Sequence, residues 1–74
     1  MTELVTYMVK ALVDDKDSVS VVESEDGNAV IIKVAKDDMG KVIGKQGRII
    51  KAIRSVVKAA SVKLGKNYSV EIEE

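Results

Sequence analysis

Val42-Ile43-Gly44-Lys45-Gln46-Gly47-Arg48-Ile49-Ile50 is the stretch around which this chain is organised. Two glycines three apart interrupt an apolar run, with Lys45 between them and Arg48 directly after. Ile49 opens a long helical pattern, so the stretch reads as a helix, a tight glycine turn and a second helix. Glycine lacks a Cβ, accepts φ > 0 and admits another backbone at close range. The second helix begins at the turn, so its unpaired N–H groups and the positive end of its dipole face outward there. Lys45 and Arg48 add full charges at the same place. The physical reading is an anion site that a phosphate fits. A bare Gly-x-x-Gly also occurs in plain helix–helix connections with solvated lysines, so its surroundings must decide.

On the N-terminal side, Asp37 or Asp38 is a candidate cap for a short helix through Met39, Lys41, Val42 and Ile43. On the C-terminal side, the second helix spans about residues 48–64, with Gly65 as its stop and Lys58 and Lys63 suiting the dipole near its end. At about 100° per residue, Ile49, Ile53, Val57, Ala60 and Leu64 share the centre of its apolar arc and should lie on a sheet. Lys51, Arg54 and Lys58 form a narrow polar stripe on roughly the opposite side. They extend the charge begun by Lys45 and Arg48, or simply face solvent. Ala52, Val56 and Ala59, with Val62 further round, flank the core arc. A globular helix needs a stripe of little over ~100°, and this arc runs roughly twice that. The surplus residues are small and admit another backbone. They predict a self-association surface, an isologous two-fold contact, unless the N-terminal helix covers them.

Further out lie the strands. Residues 29–34 are almost continuously apolar and read as a central strand. Residues 18–24 alternate, with Val19 and Val21 on one face, and read as a half-buried strand antiparallel to it across the turn Glu25-Asp26-Gly27-Asn28. Residues 66–74 form a last strand with Tyr68, Val70 and Ile72 inward and Ser69, Glu71 and Glu73 outward. At the start of the chain, Thr2 is a candidate N-cap with Glu3 in the first turn. Leu4, Met8, Ala11 and Leu12 define one helix face, widened by Val5 and Val9, with Tyr7 and Lys10 outward. That helix should end near Val13. The order is helix, strand, strand, helix, helix, strand. A two-helix crossover joins parallel strands and is right-handed. The expected fold class is α+β: a three-stranded mixed sheet with three helices on one face.

The totals narrow the chemistry. Seventy-four residues make one small domain, and its core is marginal without disulfide or metal. Cysteine and histidine are both absent, which removes zinc fingers, thiol catalysis and imidazole chemistry. No cofactor is expected. No apolar run approaches the ~20 residues of a membrane span, and no long apolar segment follows Glu3 as in a signal peptide. A cytoplasmic protein is the expectation. Net charge is zero, but residues 39–70 hold eight Lys or Arg and no acid. That asymmetry predicts a basic face on a neutral molecule, or an ordinary solvated helix face.

The run from Val42 to Ile50 resembles the Val-Ile-Gly-x-x-Gly-x-x-Ile signature of KH domains, complete here. The element order resembles the type II arrangement, with the extra helix and strand N-terminal to the shared unit. With nothing appended, the chain is similar to the small stand-alone KH proteins of bacteria, and the resemblance makes residues 1–74 a single KH domain. In that family the Gly-x-x-Gly loop clamps about four nucleotides of single-stranded RNA or DNA by their backbone. The resemblance therefore implies RNA binding at Val42, Ile43, Gly44, Lys45, Gln46, Gly47 and Arg48, in a groove between the turn and the sheet edge. Lys45 and the backbone N–H groups of residues 46–48 would meet phosphates, and Val42 and Ile43 would floor the groove. It further implies a role as RNA chaperone or post-transcriptional regulator, homodimers, and pairing with a larger Jag-type KH protein. With no Phe or Trp and two Tyr, stacking platforms are not expected, so recognition should be weak and electrostatic with a shallow salt slope.

Rival readings remain open at this point. An enzyme using the turn on a nucleotide is disfavoured: Gly40-Lys41-Val42-Ile43-Gly44-Lys45-Gln46 lacks the Walker spacing and the Ser or Thr for magnesium. The pairs Asp14-Asp15 and Asp37-Asp38 look like a turn and a helix cap rather than a catalytic constellation. A KH fold used only to dimerise or dock a protein is the alternative favoured by neutral charge. A fragment of a larger ribosomal or transcriptional machine is a third reading, opposed by the start at Met1 and the finished last strand.

Overall fold

Strand β2 (Ala29–Lys33) is the centre of a three-stranded sheet in a computed structural model that describes residues 1–73. Strand β1 (Ser20–Glu23) pairs with it antiparallel, Val21 opposite Ile32. Strand β3 (Ser69–Glu73) pairs with its other side in parallel, Val30 opposite Val70. The tight β1–β2 turn is held by side chains. Ser24 Oγ donates to Asp26 Oδ1 at 2.6 Å, and the Asn28 N–H donates to the same oxygen at 3.0 Å. The Ser24 hydroxyl and that N–H hold the Asp26 carboxyl below its ordinary pKa.

The three helices are α1 (Thr2–Lys10), α2 (Met39–Ile43) and α3 (Arg48–Leu64). They cover the sheet face that carries Val30, Ile32, Val34 and Val70, as the expected α+β arrangement requires. Val5, Val9, Val30, Ile32, Val42 and Val57 are wholly enclosed. Each such side chain contributes about 1.5–3 kcal/mol relative to leaving it in water. The opposite sheet face presents Lys33, Glu71 and Glu73 to solvent.

Several expectations need correction. Helix α1 turns the row Val5, Val9 fully inward, continued by Val13; of the expected row, Met8 and Leu12 pack half-buried on the core while Leu4 and Ala11 are exposed. Both rows repeat at four residues and lie only about 100° apart, so periodicity could not choose between them and packing did. Thr2 is the first helical residue rather than the cap; Met1 holds the cap position without a side-chain bond. The helix stops at Lys10, and the Leu12 N–H tightens onto the Val9 carbonyl at 3.0 Å. Strand β1 starts two residues later than expected because Lys16–Ser18 form a 3₁₀ turn, closed by Ser18 Oγ donating to Asp15 Oδ2 at 2.7 Å. Strand β3 starts three residues later than expected, so Tyr68 lies just before it; Tyr68, Val70 and Ile72 point inward as expected, and the expected extension to Glu74 lies outside the described residues.

Helix α3 has the predicted bounds. Its end is a Schellman motif: the Lys66 N–H reaches the Ser61 carbonyl at 3.0 Å and the Gly65 N–H the Val62 carbonyl at 3.2 Å. Ile53 and Val57 of the expected row are buried, and Ile49 and Ala60 are half-buried, but the fully buried line runs through Ile50 and Ser61 instead of reaching Leu64. Ser61 is a polar residue in the core. It is satisfied because its Oγ donates to the Val57 carbonyl at 2.6 Å, one turn back. Leu64, expected in the core, is 56% exposed.

Candidate nucleic-acid interface

Helix α2 is only five residues long and is anchored in the core by Val42. Its end is fixed by Gly44, whose N–H donates to the Gly40 carbonyl at 2.8 Å. Gly44 has φ 78° and ψ 173°, a conformation open to glycine almost alone. A 3₁₀ turn, Lys45–Gly47, follows, with Gln46 at φ 58° and Gly47 at φ 72°. Three of these four residues thus have positive φ, and the chain reverses into α3 within one turn. The side chains of Lys45, Gln46 and Arg48 are all exposed. Arg48 Nη2 donates to Gln46 Oε1 at 3.3 Å, a link across the turn.

The turn uses part of its own donor set. The Gly47 N–H is taken up by the Gly44 carbonyl at 3.2 Å and the Arg48 N–H by the Lys45 carbonyl. The expected cradle of N–H groups from Gln46 to Arg48 is therefore reduced, and the side-chain cations carry more of the anion site. Of the two apolar residues expected in the groove floor, Val42 belongs to the core and only Ile43 reaches the surface.

The charge around the turn is divided. Lys41 is paired with Asp14 and, at 3.0 Å, with Asp38. These carboxylates raise the Lys41 pKa, Asp14 more than Asp38. Among the described residues, Lys45 and Arg48 enter no ion pair. Asp38 holds the cap position of α2 but makes no capping bond. Its carboxylate is buried, 3% exposed, and accepts the Asp15 N–H at 3.0 Å, the Asp14 N–H at 3.4 Å and Lys41 Nζ. The Asp15 N–H, then Lys41, hold its pKa below the ordinary value. The pairs Asp14-Asp15 and Asp37-Asp38, expected as a separate turn and cap, are joined through Asp38. Nothing in the local sequence signals a contact across more than twenty residues.

Along α3, the polar stripe splits. Arg54 and Lys58 line an open concavity of about 380 Å³ with Asn67, Tyr68, Ser69 and Val70, between the helix and the free edge of β3. Arg54 Nη2 lies 3.5 Å from the Val70 carbonyl on that edge. Lys66 sits over the Tyr68 ring, and the Tyr68 hydroxyl donates to Glu23 at 3.0 Å. Lys51 is exposed and outside the concavity. The basic surface thus runs from the turn along one flank of α3. On another flank, Ala52, Val56, Ala59 and Val62 are all exposed, Val56 at 43% and Val62 at 73%; α1 does not cover them. Among the described residues there is no cluster of potential metal ligands and no helix long and apolar enough to cross a membrane.

The mixed β1-β2-β3 sheet, the helix order and the glycine turn between α2 and α3 define a type II KH domain. A sequence model of the family described as KhpA/KhpB, KH domain, matches residues 2–72. The chain is 57% identical over 74 residues to the RNA-binding protein KhpA of Caldanaerobacter subterraneus subsp. tengcongensis, covering 97% of this chain and 99% of that one. It is 54% identical to the protein of that name from Clostridium acetobutylicum, over 97% and 99% of the two chains. The Aquifex aeolicus KhpA is 43% identical over 100% of this chain and 96% of its own. The chain belongs to the KhpA/KhpB KH-domain family. Its fold is also similar to part of Aquifex aeolicus Era, solved as a point variant bound to GDP and aluminium fluoride. That match has a TM-score of 0.54 at 20% identity, over 96% of this chain and 28% of Era.

Proposed function

We propose that this chain is a single KH domain that binds single-stranded RNA by clamping its sugar–phosphate backbone at the 44–47 turn. The observation that carries the reading is that turn: bare backbone at Gly44 and Gly47, flanked by two exposed cations, Lys45 and Arg48, outside the ion pairs that hold Lys41. Phosphates run against the glycines and meet Lys45 and Arg48, with Gln46 as an added hydrogen-bonding group. Ile43 supplies apolar contact, and Val42 supports the turn from the core. The RNA continues along the groove between α3 and the β3 edge, past Arg54 and Lys58. The relatives' name, RNA-binding protein KhpA, supports this ligand. The role that fits is cytoplasmic: a non-enzymatic RNA chaperone or post-transcriptional regulator.

The uncovered face of α3 favours a second reading alongside it. Ala52, Val56, Ala59 and Val62 form the contact of a homodimer, or of a heteromer with KhpB, the other protein named in the family. The test of the first reading is fluorescence anisotropy with short unstructured RNAs across a salt series. Wild type is compared with the double variant Lys45→Asp, Gln46→Asp, shown to be folded by circular dichroism. Binding by wild type and not by the variant assigns the site to the turn. Equal binding places the RNA away from the turn, along Arg54 and Lys58, and no binding by either leaves protein association through α3 as the function.

A further inference from the structure

Helix α2 cannot hold its own position. Five residues are far too few for a self-supporting helix. One face is fixed by Val42 in the core. Met39 packs against the core beside it, and a polar link is supplied by the buried Asp38 carboxylate, which joins the backbone N–H groups of Asp14 and Asp15, in the α1–β1 connection, to Lys41 on α2. Asp14 closes the network by pairing with Lys41 as well. Gly44, the first residue of the glycine turn, is the next residue after α2.

We propose that Asp38 is a positioning residue for the 44–47 turn: by tying α2 to the α1–β1 connection it sets where Gly44 and Lys45 stand for RNA, without touching RNA itself. The inference rests on the reading of that turn as the RNA site. It makes a prediction opposite in sign to simple electrostatics. Removing a negative charge near a phosphate site tightens binding on charge grounds alone. Removing Asp38 weakens it, because the turn shifts. Asp37 is the control: it is adjacent, exposed and outside the network, and Asp37→Asn makes the same change in charge.

The experiment compares Asp38→Asn and Asp37→Asn in two measurements. In RNA anisotropy, Asp38→Asn is expected to bind roughly tenfold more weakly, the scale of coupling within one hydrogen-bond network. Its salt slope stays that of wild type, since no phosphate contact is lost, while Asp37→Asn binds as wild type or tighter. In the free proteins, the backbone amide chemical shifts of Gly44, Lys45, Gln46 and Gly47 move in Asp38→Asn and stay in place in Asp37→Asn. Affinity equal in the two variants with those amides unmoved overturns the proposal. If wild type binds no RNA, the RNA reading fails separately, and the amide shifts alone decide whether Asp38 positions the turn. Should Asp38→Asn not fold, Lys41→Gln breaks the same network. The proposal then expects weaker binding at unchanged salt slope. A slope shallower by about 0.7, the mark of one lost phosphate contact on a single strand, makes Lys41 an RNA ligand instead and overturns it.

Discussion

Gly44 and Ile49 are packed so closely that no side chain fits between them. A Cβ built on Gly44 would lie 2.2 Å from Ile49 Cγ1 and 2.8 Å from the Ile49 backbone nitrogen. Gly47 is different: its nearest outside neighbour to a Cβ is Ile50 Cγ2 at 3.9 Å, so only its positive φ requires glycine. The two glycines of the turn are needed for different reasons, one by space and backbone hand, the other by hand alone.

Urea denaturation separates the two. Gly47→Ala is expected to cost about 1–2 kcal/mol, the strain of a left-handed alanine. Gly44→Ala adds a clash with backbone and is expected to cost about 3 kcal/mol or more. Equal costs would show that the turn relaxes and that the Ile49 contact does not matter.

The uncovered flank of α3 is tested by charge. Val56→Asp places an acid on an exposed position and is expected to leave the circular dichroism spectrum intact while the light-scattering mass falls from two chains to one. Val57→Asp, one residue on and fully buried, is expected to prevent folding. A folded Val56→Asp protein with the mass of wild type removes the proposed self-association surface.

The groove along α3 has its own signature. Arg54→Ala and Lys58→Ala are each expected to make the slope of log affinity against log salt shallower by about 0.7 for single-stranded RNA, whatever its sequence. Lys63→Ala, at the far end of the helix and outside the concavity, is expected to leave the slope unchanged. Unchanged slopes for Arg54 and Lys58 would confine the RNA to the turn.

Asp38 and Lys41 give the fold opposite pH limits. Asp38 has a depressed pKa when folded, so its stabilising effect is present above the ordinary carboxylate value of about 3.9 and is lost as pH falls through the depressed one. Lys41 has a raised pKa, so its contribution is present below about 10.4 and is lost as pH rises through the raised value. Thermal melts should therefore drop below about pH 4, and less steeply in Asp38→Asn. A melting profile in acid identical for the two proteins would show that Asp38 is equally bound by the unfolded chain.

Ser61 tests how a polar group enters the core. Its hydroxyl donates to a carbonyl of its own helix, so Ser61→Ala leaves no buried donor unpaired and is expected to change stability by less than about 1 kcal/mol. Ser61→Leu overfills the site and is expected to cost about 1–3 kcal/mol by urea denaturation.

The sequence by itself determined everything written in local periodicity and backbone chemistry. The alternation around Val21, the apolar run of β2, the bounds of α3 and the glycine turn follow from side-chain spacing and from where a Cβ is tolerated. The parallel pairing of β2 with β3 follows from the length of the crossover. Tertiary structure decided what periodicity leaves degenerate. In α1 the rows of Leu4 and Val5 are adjacent and equally regular, and only contact with the sheet selected the valines. In α3 the same degeneracy shifted the buried line onto Ile50 and Ser61, leaving Leu64 in water. The Asp38 network was invisible because, Lys41 apart, its partners are backbone N–H groups more than twenty residues away, and backbone donors carry no mark in a sequence. The same holds for the concavity at Arg54 and Lys58, which exists only because α3 and the edge of β3 are brought side by side.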